Sequence, residues 1–301
     1  MASLTSITIR PLRALHEMRA VVELQKIYWG DDTESVVPAH MLFSLANYGG
    51  HVLAAYDGER PVGVLIGFLG TNMEEPDRPA MANLQVVSKR MVVLPEYRGH
   101  GIAYQLKKAQ RDLAIRQAVR LVIWTFDPLL STNAHLNIRK LGAISHQYLE
   151  DYYGTSSEGG LARLGSSDRL LVEWWVTSRR VEERMRGVRA SLTLKQYLEG
   201  ETPILNPSQV LPNGYAVPAS EPVAPGGALT LLEIPTNYAE IQQGDAALAQ
   251  AWRLHIREAF ASLFARGFVV TDFLHETYED RLRAFYVLTY SGPQFEAYVM
   301  N

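Results

Sequence analysis

The stretch with the most chemical content is Met91 to Ala103, MVVLPEYRGHGIA. An apolar strand runs into a short turn holding Gly99 and Gly101, and the turn feeds a helix. The first N–H groups of a helix have no partner inside it. Glycines let a phosphate come close to the backbone, and the helix dipole favours an anion at that end. The pattern predicts a pyrophosphate cradle made by the backbone of Arg98, Gly99, His100, Gly101, Ile102 and Ala103. The Gly-Lys-Ser/Thr ending of a triphosphate loop is absent. The dinucleotide pattern G-x-G-x-x-G is absent too, because Tyr104 stands at its third glycine.

The elements around this stretch follow from periodicity. Residues 5–12 alternate as a strand. Met18, Val21, Val22, Leu24, Ile27 and Trp29 give 15–29 a helical spacing that Gly30 ends, and Pro38 opens a second helix that closes at Gly49-Gly50. Residues 51–56 and 61–70 read as two strands joined by an Asp57-Gly58 hairpin turn. A long strand at 84–94 precedes the motif. Ile102, Leu106, Ala109 and Leu113 stripe the helix after it, which runs to about Gln117. A strand at 121–126, a helix at about 130–141 and a strand pair at 144–153 and 169–177 follow. The order is β-α-α-β-β-β-α-β-α-β-β.

With the order in hand, the motif resembles the coenzyme A motif of the GNAT superfamily of N-acyltransferases. Arg98-Gly99-His100-Gly101-Ile102-Ala103 fits R/Q-x-x-G-x-G/A, and Val93-Leu94-Pro95-Glu96-Tyr97 fits the V-x-P-x-Y lead-in. Ala134 to Gly142 is similar to the family's A-x-x-L-Y-x-K-x-G-F segment. The resemblance covers 5–177 and implies an α/β (α+β) GNAT fold, with a mixed, mostly antiparallel central sheet flanked by helices. It implies an acyl-coenzyme A co-substrate, acetyl or another such as succinyl. The amide groups of strand 88–93, with Met91, Val92 and Val93 at its end, would hold the pantetheine. The N–H of Val92 or Val93, with Val93 preferred, would face the oxyanion of the attacked thioester. The acceptor amine must lose a proton first, since a lysine-like amine has a pKa of ~10.4.

Two positions depart from the family. The tyrosine that often protonates the leaving thiolate is Ile138 here, and the strand glutamate is Val87. Ser88, Lys89 and Arg90 are the nearest polar residues on the strand, with Lys89 read as solvent-facing. Tyr152 or Tyr153, ahead of the 154–168 loop, could donate the missing proton, or could be ordinary strand aromatics. Asn133 and Asn137, four apart, would share a helix face and could touch pantetheine or acceptor. Asp127 or Ser131 could cap that helix instead. Arg78, Lys89 and Arg90 could pair with a carboxylate on substrate or acyl group.

Length and composition bound the rest. At roughly 150 residues per domain, 301 residues suggest two domains or one large one. The expected segments are 1–178 for the acyltransferase domain and 179–227 for a helical, Pro/Gly-rich connection that links or wraps. Residues 228–301 read as a smaller β-α-β-β unit, which could be a degenerate GNAT half. There is no cysteine, which excludes disulfides, thiolate metal sites and a cysteine nucleophile. Lys+Arg of 29 against Asp+Glu of 32 leaves −3, so no nucleic-acid partner is expected. His135 and His146 lack metal-ligand spacing, so no metal is expected, and no apolar run reaches the ~20 residues of a membrane span. The expectation is a cytoplasmic enzyme, able to dimerise, acylating a small-molecule amine or amino acid. The alternative is a non-catalytic acyl-coenzyme A sensor or structural protein.

Overall fold

The computed structural model describes residues 7–30, 35–72, 77–154, 167–218 and 225–292. These divide into two compact units, one from 7–124 and 175–177, the other from 125–154, 167–174 and 178–292. Both are α/β, with mostly antiparallel sheets and helices against them.

The first unit contains β1 (Ile7–Pro11), α1 (Leu15–Trp29), α2 (Ala39–Asn47), β2 (His51–Asp57), β3 (Arg60–Thr71), β4 (Leu84–Val93), α3 (Ile102–Arg116) and the start of β5 (Leu121–Phe126). Its strands lie in the order β1-β2-β3-β4-β5. β1 to β4 pair antiparallel and β4 pairs parallel with β5. The hairpin turn is where the sequence puts it, with Asp57 opposite Arg60 and Gly58 at φ 60°. Met18, Val21 and Leu24 of α1, Leu42 of α2, and Ile102 and Leu106 of α3 pack with Leu53, Val64 and Leu65 of the sheet. Each such side chain contributes roughly 1.5–3 kcal/mol when fully buried.

Two irregularities in β4 matter later. Ile66 pairs with Arg90 and Phe68 with Val87, so Gly67 alone faces both Ser88 and Lys89, a β-bulge. A Cβ on Gly67 would come within 2.9 Å of Gln110 Nε2 and 3.1 Å of the Val87 carbonyl, so a larger residue there would displace the Gln110 amide and crowd β4. The parallel pairing of β4 with β5 covers Gln85–Val87 against Leu121–Ile123.

The second unit has strand order β7-β6-β11-β12-β10, from β6 (Ile144–Leu149), β7 (Arg169–Trp175), β10 (Leu229–Ile234), β11 (Phe268–Tyr278) and β12 (Arg281–Tyr290). The 20-residue α8 (Ala246–Ala265) buries Trp252, Ile256, Phe260 and Leu263. Several expectations are corrected here. The helix at 130–141 is a short α4 (Ser131–Ala134) continuing as a π-helical turn, His135–Lys140. β6 stops at Leu149 because the chain turns at Asp151 (φ 42°), whose N–H is taken by Asp168. The charged stretch after 178 is two helices, α5 (Arg179–Met185) and α6 (Leu194–Glu199), with Gly187 (φ 69°) after the first. The Pro/Gly-rich segment wraps: Leu205 and Asn206 are buried, and the Asn206 amide exchanges hydrogen bonds with the backbone of Glu233. It also forms the two-residue strands β8 (Gln209–Val210) and β9 (Ala216–Val217). A short α7 (Tyr238–Gly244) was not foreseen. Among the described residues no helix is long and apolar enough to cross a membrane.

Candidate functional site

The end of β4 is locked by the Leu94 N–H donating to the Val62 carbonyl at 2.9 Å. Antiparallel pairing alternates. Val92, opposite Val64, therefore turns its N–H and C=O toward β3, while Met91 and Val93 turn theirs the other way. The Val93 carbonyl accordingly accepts Arg98 Nε at 3.3 Å. Of the two candidate oxyanion donors the register favours Val93. Val92, expected to offer its backbone to a ligand, spends it on the sheet and its side chain on the core.

Pro95–Tyr97 forms a single 3-10 turn. Its closing bond runs from the Arg98 N–H to the Pro95 carbonyl at 3.2 Å, so Arg98 drops out of the backbone cradle. The N–H groups of Gly99, His100, Gly101, Ile102 and Ala103 have no acceptor among the described residues, and no side chain caps α3. Gly99 (φ 82°) and Gly101 (φ 77°) are left-handed, a region that costs other residues about 1–2 kcal/mol. A Cβ on either would meet no atom within 4 Å. These glycines serve backbone conformation, and the space beside them is open. Five unpartnered donors around an uncapped helix start fit an anionic pyrophosphate. His100 is exposed, and the Arg98 guanidinium lies 5.7 Å from the Tyr28 ring centre.

Of the strand's polar residues, Lys89 is exposed and Ser88 buried. Arg90 lies 4.6 Å over the Trp29 ring and donates to the Ser35 carbonyl, which takes it up structurally. Arg78 is exposed.

In the second unit Asn137 is buried and Asn133 exposed, so the two share no ligand-facing surface; the π turn breaks the spacing that aligned them. Ile138 is buried. Asp127 does not cap α4: it accepts the Leu129 N–H and grips Arg253 with both oxygens, at 2.8 and 2.7 Å. Ser131 donates to the Thr236 carbonyl instead. Tyr152 and Tyr153 are 52% and 37% exposed and stack edge-on, 4.8 Å apart, with the Tyr153 hydroxyl 3.4 Å from Thr125 Oγ1. The 154–168 loop lies almost wholly outside the described residues.

One residue the sequence reading passed over stands out. Lys107 of α3 is 2% exposed. Its Nζ donates to Ser88 Oγ at 2.9 Å and to Gln110 Oε1 at 3.4 Å, and lies 3.4 Å from the centre of the Trp124 ring. Burial drives its pKa well below the usual lysine range. The signal was a second helical stripe: Lys107, Gln110 and Ala114 are all buried, at i, i+3 and i+7. Two polar members hid it among ordinary solvent-facing residues.

The family model described as acetyltransferase (GNAT) family matches residues 18–142. No curated protein sequence matches significantly. Similar solved structures include the ribosomal-protein-S18-alanine N-acetyltransferase from Escherichia coli, at 12% identity and TM-score 0.42 over 57% of this chain and 94% of that one. An N-acetyltransferase from Staphylococcus aureus Mu50 is 13% identical, with TM-score 0.45 over 57% and 100%. Arabidopsis thaliana NAA60 in complex with acetyl-CoA is 14% identical, with TM-score 0.45 over 56% and 99%. Residues 18–142 of this chain are thus similar to the GNAT acetyltransferase family, whose model they match.

Proposed function

We propose that the chain transfers an acyl group from acyl-coenzyme A to the amine of a small molecule or amino acid, by direct attack of the amine on the thioester. One observation supports it most: a run of unpartnered backbone N–H groups from Gly99 to Ala103, beside open space, continuous with a strand end whose Met91 and Val93 amides turn away from β3. On this reading Gly99, His100, Gly101, Ile102 and Ala103 hold the pyrophosphate. Met91 and Val93 hold the pantetheine, and the Val93 N–H meets the developing oxyanion. Acetyl is the first donor to test and succinyl the second, since exposed Lys89 and Arg78 could meet an acyl carboxylate.

The test is thiol release by purified protein, with acetyl- and succinyl-coenzyme A crossed against amino acids and polyamines. Amine-dependent release is expected, and Gly101→Glu should lose it. Thermal protection by coenzyme A without release from any acceptor would favour a sensor. The absence of both release and protection would refute the cofactor assignment.

A further inference from the structure

The pairing of β4 with β5 ends at Val87 opposite Ile123. The next residues along the two strands are Ser88 and Trp124, and these two hold the Lys107 amine. Lys107 Nζ thus sits where the strands part. Beyond it, on the same strand, the Met91 and Val93 amides turn away from β3. The usual acid–base positions of the family carry Val87 and Ile138, neither of which can move a proton.

Building on the transferase reading, we propose that Lys107 accepts the proton that the acceptor amine must lose, working through the Ser88 hydroxyl. Ser88 Oγ takes a proton from the incoming ammonium as it passes its own to Lys107 Nζ. The freed amine forms the C–N bond, the C–S bond breaks, and the electron pair leaves with sulfur. The second N–H proton goes to water, and sulfur takes a proton from the surroundings. Lys107 then releases its proton to solvent. Lys107 is a positioning residue here, since Ser88 meets the substrate.

The electrostatic surroundings suit a neutral amine. The side chains around Nζ, Ser88, Gln110 and Trp124, are uncharged. On α3, Lys108 is exposed and Arg111 donates to the Val176 carbonyl. On β4, Lys89 is exposed and Arg90 is held by Trp29. On β1, β2 and β3, Arg10 pairs with Glu17, His51 bonds Gln117, and Arg60 pairs with Glu96. Residues 121–124 of β5 are apolar. Burial pushes the Lys107 pKa down, and among the described residues no carboxylate bonds its Nζ.

The experiment combines pH–rate profiles of wild type, Lys107→Met and Ser88→Ala with an NMR titration of 13Cε-labelled lysines. The Lys107 signal is the one missing in Lys107→Met. Both variants should lose about 100-fold in kcat/KM at neutral pH while KM for acyl-coenzyme A stays within about threefold. The wild-type inflection should vanish, leaving a rate that rises about tenfold per pH unit as free amine accumulates. The Lys107 signal should titrate well below the other lysines. A Lys107 signal that titrates with the others, or an active wild type whose profile both variants keep, overturns the inference alone. A wild type that releases no thiol with any acceptor overturns the transferase reading beneath it. Should Lys107→Met fail to fold, Ser88→Ala still decides: an active Ser88→Ala that keeps the wild-type pH–rate profile overturns the inference.

Discussion

Two buried cations, one in each unit, are treated in opposite ways. Arg253 is 1% exposed and meets both oxygens of Asp127. Burial works against its charge, but the Asp127 hydrogen bonds and charge outweigh it and raise its pKa. Lys107 is as deeply buried, has two neutral acceptors and an aromatic face, and its pKa falls. Removing a charge from water costs several kcal/mol unless a partner offsets it. The second unit offsets that cost with a carboxylate and gains a fixed strut between the β5–α4 turn and α8. The first unit leaves it standing and holds a basic amine beside a strand split.

Several measurements would break or sharpen this contrast. Arg253→Met strands Asp127 without its partner and should cost about 3–5 kcal/mol in urea unfolding. The double variant with Asp127→Asn should recover much of that. Lys107→Met should cost less than about 1 kcal/mol, because it removes a desolvated amine and leaves no orphaned charge. Equal losses at both sites would erase the distinction. Gly101→Glu puts a carboxylate at a left-handed helix start among the five free N–H groups. It should weaken coenzyme A binding about 100-fold, ~2.8 kcal/mol, beyond the about 1–2 kcal/mol of stability that a side chain costs at this left-handed position.

The next effect appears in stability against pH. Burial, first among several causes, pulls His135 down to about 4 from 6.5. Its folded pKa is depressed, so the unfolded chain binds the proton first. The stabilisation is complete above pH 6.5 and is lost as pH falls toward 4, by roughly 2 kcal/mol. His135→Leu should flatten that part of the curve, and an unchanged slope would reject the assignment. Lys107 has the same sign in a higher window, its burden growing as pH falls below 10.5. The smallest effect concerns the proton donor to sulfur. If a tyrosine hydroxyl serves, Phe at Tyr152 or at Tyr153 should lower kcat about tenfold, ~1.4 kcal/mol. Unchanged kcat in both variants retires the pair.

Much of the first unit was legible because its signals are local. Gly30 ends α1, Pro38 precedes α2, Asp57-Gly58 turns the hairpin, and Gly99 and Gly101 take the left-handed conformations that a tight turn into a helix needs. Apolar periodicity is likewise a property of neighbours in sequence. Several of the expectations that failed depended on partners far along the chain. Capping by Asp127 was one reading because it sits between a strand and a helix, yet its partner lies 126 residues away. Composition left the segment around Asn206 open between a linker and a wrapping segment, and the distant contact decides it: the Asn206 amide completes the backbone of Glu233. Arg98 and Val92 were given free amides that the turn and the sheet register consume.

By itself, then, the sequence determined the strand–turn–helix at 84–116 and the glycine positions that leave donors open, since each rests on contacts a few residues apart. Only the tertiary structure decided which amides remain free and that a lysine on an unremarkable helix face is buried against Ser88 and Trp124. A side chain's ionisation depends on what surrounds it in space, and those neighbours come from three elements that the linear order keeps apart.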